Sequence, residues 1–268
     1  MTGAFLSKEY FDDPYMIYRD FHANNPIFWN PDIKAWIISS YSEVEKGLSN
    51  SNLNAGERIS SATSHLTLAE KEEFSKIINT LSNWIVFQDP PKHTRLRKLV
   101  NKSFTPRSIE AFRLKIENIV DNLLTEALAK EEFDLVSEIS SCLPAIVICE
   151  LLGIPEDRQA DVRRWSDKHA GFSASAQVGY EAAKAANDAS IEAETYLFSL
   201  FNDLRKNPGD NLLSKLLVSD SDEERLTDEE LAALIIQLFF AGFETTEGLI
   251  GNLMLALHNN PSEKQKLI

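Results

Sequence analysis

The stretch from Thr227 to His258 constrains the fold more than any other. Thr227 and Glu230 have the spacing of a capping box, in which each side chain satisfies the other's backbone N–H at a helix start. From Leu231 to Phe243 only Gln237 is polar, and Asn259-Asn260-Pro261 ends the pattern. The pattern predicts one helix of about 45 Å at 1.5 Å per residue, long enough to cross a whole domain, with its first half buried nearly all round. Its centre reads "AGFETT", residues 241–246. Ala241 and Gly242 remove side-chain bulk, so something flat can approach the backbone. Glu244 brings a carboxylate to the edge of that gap, and Thr245 and Thr246 bring hydroxyls able to bond back to carbonyls four residues earlier or to bend the helix. A carboxyl beside a hydroxyl beside a small space outlines a proton relay. The competing reading is a kinked core helix whose Glu reaches water.

The remainder is predominantly helical by periodicity, with ten glycines in 268 residues and 43% hydrophobic content for a sizeable core. "PIFWNPDIKAWIISS" predicts a hairpin around Asn30-Pro31-Asp32, and Ser42 with Glu45 predicts a capped short helix after it. Residues 49–65 are Ser/Asn-rich and aperiodic, hence a long loop. Asp89 is expected to cap a helix from Pro90, and Thr105 another from Pro106, the latter with an apolar stripe through Ile109, Phe112, Ile116, Ile119, Leu123 and Leu124. Gly153 and Pro155 close a helix carrying Cys142 and Cys149; further helices are expected over 157–169 and 180–206, then an acidic link, "SDSDEER". The formal charge of -14 disfavours general nucleic-acid binding. The start of the chain reads as neither signal nor anchor, no uncharged run reaches bilayer length, and the expectation is a cytoplasmic protein.

One segment reverses the sign of the charge. Between Pro90 and Ile109 there is no acid, while Lys92, Arg95, Arg97, Lys98, Lys102 and Arg107 are basic. His93 and Arg97 are four apart, on one helix face, on or beside the side carrying Leu96, Leu99 and Val100. Two inward donors suit carboxylates, while Lys92, Arg95 and Lys98 can point to solvent. The plainer reading is a solvated face.

Together, "DPPKHTRLRKLVNKSFTPR" and "AGFETT", about 140 residues apart, resemble the cytochrome P-450 haem-thiolate monooxygenases of the soluble bacterial kind. The hairpin, "LPAIVICELLGIPEDR" and "LTDEELAALIIQLFFAGFETT" are similar to that family's N-terminal and central parts. The resemblance implies a mainly α fold, a helical bundle around haem with a small N-terminal β-hairpin. It implies that residues 1–268 are part of a single domain, truncated after the long central helix. His93 and Arg97 match residues that bind the haem propionates, Ala241 and Gly242 the pair lining the oxygen groove, Thr245 the proton-delivering hydroxyl and Glu244 the acid beside it. Haem b is the implied cofactor and O2 the co-substrate, with one oxygen atom inserted into a small organic substrate. Electrons would come from a separate acidic carrier, a ferredoxin or flavodoxin, landing at the Lys92, Arg95 and Lys98 face. Residues 54–87 and 170–180 are the implied substrate lining; Leu66, Trp84, Ile85, Phe87 and Phe172 suggest an apolar ligand.

The chain departs from the family in one respect. The Gly- and Phe-rich loop with the ligand Cys, and the Glu-x-x-Arg helix before it, do not occur in residues 1–268. Cys142 and Cys149, on an apolar helix, are expected to be core residues and not the metal ligand. The chain alone is therefore expected to bind haem weakly or not at all, to be partly unfolded because the long helix lacks one packing face, and to be inactive. A non-catalytic helical binding module of the same fold stays open as the alternative, whereas no metal or hydrolase motif occurs.

Overall fold

The computed structural model describes residues 7–31, 33–173, 178–217 and 225–267. Two compact units emerge, Met1–Ala55 and Gly56–Ile268.

In the first unit, α1 (Lys8–Asp12) and α2 (Pro14–Asn24) start on side-chain caps, Ser7 and Asp13, which sequence patterning did not predict. The predicted hairpin follows: β1 (Ile27–Asn30) pairs antiparallel with β2 (Ala35–Ile38), Trp29 opposite Trp36. Alternation puts Ile27, Trp29, Trp36 and Ile38 on one face, and the two indoles meet edge to face at 5.8 Å. Helix α3 (Tyr41–Leu48) begins after Ser40, whose side chain makes no cap bond. The expected Ser42/Glu45 box is thus wrong: both residues already lie inside the helix.

The second unit holds α4 (Arg58–Ala62), α5 (Leu68–Glu73), α6 (Ser75–Ser82), α7 (Lys92–Ser103), α8 (Pro106–Glu110), α9 (Arg113–Leu128), α10 (Cys142–Leu152), α11 (Gln159–Ser173), α12 (Tyr180–Lys206), α13 (Leu212–Leu217), α14 (Asp228–Asn259) and α15 (Pro261–Gln265). Helix α4 interrupts the expected 49–65 loop, and a capping box between Thr67 and Glu70 opens α5. Asp89 does not cap α7, which begins at Lys92; its carboxylate instead accepts the Gly56 N–H at 2.9 Å. The stripe expected after Pro106 is split between α8 and α9, and Ile109 and Leu124 are exposed. Gly153 ends α10 in the left-handed region, φ 73°, where a side chain would also strike Asn211. The expected acidic link lies almost wholly outside the described residues.

Helix α14 is the axis of this unit. The Thr227/Glu230 capping box forms as predicted, and α6, α10, α11 and α12 pack against the helix. Leu231–Ile236, Phe239 and Phe243 are buried, sharing one core with Leu96 and Val100 of α7, Cys149 of α10, Trp165 and Phe172 of α11 and Leu197 and Phe201 of α12. By length and hydropathy α14 could cross a membrane; its first half is instead built into this core. The lone polar residue there has a defined task, since Gln237 Oε1 accepts the Ile85 N–H at 2.8 Å. Polar contacts fasten α6 to α12: Glu194 accepts from Lys76 and Thr80, and Asn187 accepts the Ile77 N–H.

Candidate haem and oxygen site

At Ala241 the burial pattern of α14 changes. Ala241, Glu244 and Thr245 are exposed and Gly242 is half-buried. The Thr245 hydroxyl donates to the Ala241 carbonyl at 2.7 Å, the back-bond that "AGFETT" suggested. It leaves the hydroxyl oxygen's lone pairs turned to the open face. Gly242 has a different task from the one its sequence suggested. A Cβ there would lie 2.5 Å from Ile148 Cδ1, so the glycine lets α10 approach, while Ala241 alone keeps the open face small.

Glu244 lines a cavity of ≈ 180 Å³ with Ser141, Arg163, Ser166, Asp167 and Glu247. The buried Ser141 hydroxyl donates to Glu247 Oε1 at 2.6 Å. Glu244 therefore lies at an opening lined mainly by α11 and α14, together with the Arg163 guanidinium and the Asp167 and Glu247 carboxylates.

On α7, Leu96 and Val100 form the buried side. His93 is half-buried and Arg97 exposed; they come together with Thr94, Lys98, Asn101 and Lys102 on an open depression of ≈ 540 Å³. The predicted pair therefore shares a face, but that face opens outward, one step round from the core. Two of the presumed solvent-facing cations are engaged: Arg95 pairs with Glu230 near the start of α14, and Lys92 donates to Asn83 at 2.8 Å. Sequence spacing could not show this, because Glu230 is 135 residues away.

Each surface suits part of a flat dianionic cofactor: cationic donors line an open depression on α7, and Ala241 keeps the exposed face of α14 small. Cys149 offers no thiolate. Cys149 is fully buried, and burial pushes its thiol up to about 12. Cys142 donates to the Ser137 carbonyl at 3.2 Å.

Over almost its whole length the chain is similar to cytochromes P450. The family pattern "Cytochrome P450" matches residues 181–268. The chain is similar to cytochrome P450 107B1 of Saccharopolyspora erythraea, 36% identical over 86% of this chain and 55% of that protein. It is also similar to a vitamin D(3) 25-hydroxylase of Pseudonocardia autotrophica, 35% identical over 98% of this chain and 62% of the relative. In structure it is similar to P450BioI bound to an acyl carrier protein carrying hexadec-9Z-enoic acid, with a TM-score of 0.86 and 26% identity over 97% of this chain and 65% of the other. The chain thus spans a little over half to two thirds of the length of these relatives.

Proposed function

We propose that the whole protein is a haem-dependent monooxygenase of the cytoplasm, acting on a mainly apolar organic substrate with electrons from a separate acidic carrier. The observation that carries the reading is the Thr245–Ala241 back-bond on the open turn of an otherwise core-built helix, beside Glu244 at a cavity mouth. In this reading His93 and Arg97 hold the propionates of haem b, and Ala241 leaves space for the ring and for O2. Bound haem supplies the dioxygen chemistry. Thr245 holds a proton at Oγ1 with its geometry set by the Ala241 carbonyl, and Glu244 exchanges protons between that hydroxyl and the cavity. The buried wall formed by Leu234, Phe239 and Phe243 keeps bulk water away from the helix behind the site. The carrier's landing face is the basic surface of α7 that carries Lys92, Arg95, Lys98 and Lys102, of which Lys98 and Lys102 are the more exposed. The vitamin D and fatty-acyl ligands named for the relatives support an elongated apolar substrate.

The test is a Thr245→Ala substitution in the full-length protein, read as product formed per electron pair consumed. The reading expects electrons to be diverted to peroxide while haem content holds; unchanged coupling would sink the assigned role. The buried, protonated Cys149 favours one second reading, a non-catalytic module of the same fold. A thiolate-type Soret band in the carbon-monoxide difference spectrum of the full-length protein decides against it.

A further inference from the structure

Trp84 carries an unsatisfied group that the proposed chemistry does not use. The side chain is 1% exposed. Its ring stacks on Phe240 at 5.2 Å, on Phe87 at 5.9 Å and on His169 at 6.3 Å between centroids. The indole Nε1–H nevertheless finds no acceptor among the described residues. A buried indole N–H ordinarily has a partner, and leaving it bare costs its full desolvation. His169 cannot supply one, because Nδ1 faces the Trp165 carbonyl at 2.6 Å and Nε2 the Ser190 hydroxyl at 2.9 Å.

The position of this donor relative to the oxygen site follows from α14. Gln237 anchors the turn that Trp84 begins, through the Ile85 N–H. Gln237, Ala241 and Thr245 follow one another at four-residue steps along one side of the helix. The anchor is eight residues, about 12 Å, before Thr245. Phe240, next to Ala241, bridges the gap by stacking on Trp84. Both stacked rings, Phe87 and Phe240, are only half-buried.

We propose that the Trp84 Nε1–H is a specificity-determining donor. It binds a neutral acceptor oxygen, a hydroxyl, ketone or ester, on an elongated apolar substrate whose oxidised carbon lies beside Ala241 and Thr245. A neutral acceptor fits because a carboxylate facing a single neutral donor in an aromatic pocket would be left uncompensated. The inference rests on the monooxygenase reading for the location of the oxidised carbon.

The experiment is calorimetric titration of the full-length protein with 1-tetradecanol and with tetradecane, alongside Trp84→Phe and a variant carrying benzothienylalanine at position 84, which keeps the ring's shape and lacks the N–H. The wild type should bind the alcohol about tenfold more tightly, and both variants should lose that preference while still binding the alkane. The Trp84 indole 1H–15N resonance, assigned by its absence from Trp84→Phe, should move downfield with the alcohol only. Equal binding of both ligands by the wild type, a preference that survives in the isostere, or an indole resonance already hydrogen-bonded without ligand would overturn the assignment. Loss of the thiolate-type Soret band with the alcohol preference intact would defeat the oxygenase reading and leave the donor assignment standing.

Discussion

Within residues 1–268 the two halves of α14 are packed to very different degrees. Between Leu231 and Phe239 nearly every side chain is buried against four other helices. Beyond Glu244 the helix keeps apolar residues in the open, with Leu249 65% and Leu255 60% exposed. Packing holds the first half; the second continues it through backbone hydrogen bonds and good helix formers such as Leu, Met and Ala. The comparison locates the candidate site as well, for Ala241, Glu244 and Thr245 stand where one regime gives way to the other.

The contrast can be broken most forcefully by truncating one side chain in each half. Phe239→Ala should cost about 3–5 kcal/mol, through lost burial and the cavity left behind. Leu253→Ala, at a site 48% exposed, should stay within about 0.5 kcal/mol. Comparing urea midpoints of the two variants checks this, and equal losses would erase the distinction. Gly242→Ala comes next, at about 1–3 kcal/mol from overpacking against Ile148. Adding Ile148→Val, which removes the methyl nearest the new Cβ, should recover part of that loss.

A smaller effect is expected with pH, through α11, which packs on the buried half. Burial holds the His169 imidazole below its ordinary proton affinity, partly offset by the Trp165 carbonyl. The unfolded chain therefore binds the proton more readily. Stability should be complete above the unfolded value of about 6.5 and should fall as the pH drops below it. Urea midpoints followed from pH 8 to 5.5 should show this decline, and His169→Gln should flatten it. At the junction itself, Thr245→Val should change stability least, by under about 0.5 kcal/mol. A larger thermal shift would mean that the hydroxyl serves the fold rather than a bound group.

What could be read in advance was local. The Thr227 capping box, the hairpin and the span of α12 each follow from residues within a few positions of one another, and all three formed. What escaped was decided by partners far along the chain. Asp89 is drawn to the Gly56 amide, Arg95 to Glu230, and Gly242 is small because Ile148 approaches it. The apolar period through Ile109 continued without a signal for the break before Arg113, so one helix was expected where two formed. For the site, spacing placed His93 with Arg97 and Thr245 beside Glu244. It could not show that the first pair opens outward, or that an indole near α14 lacks a partner.

The capping box at Thr227 gives α14 a fixed origin for counting. Every candidate position on the helix is registered from that mark, Gln237 ten residues on and Thr245 eighteen. One residue inserted between Thr227 and Gln237 would turn all later positions by about 100° and advance them by about 1.5 Å. The latch to Ile85 and the Ala241–Thr245 face would then swing away together. The length of the segment before the open turn is therefore under as strict a constraint as the residues within it, and deletions or insertions there should be tolerated far less than substitutions.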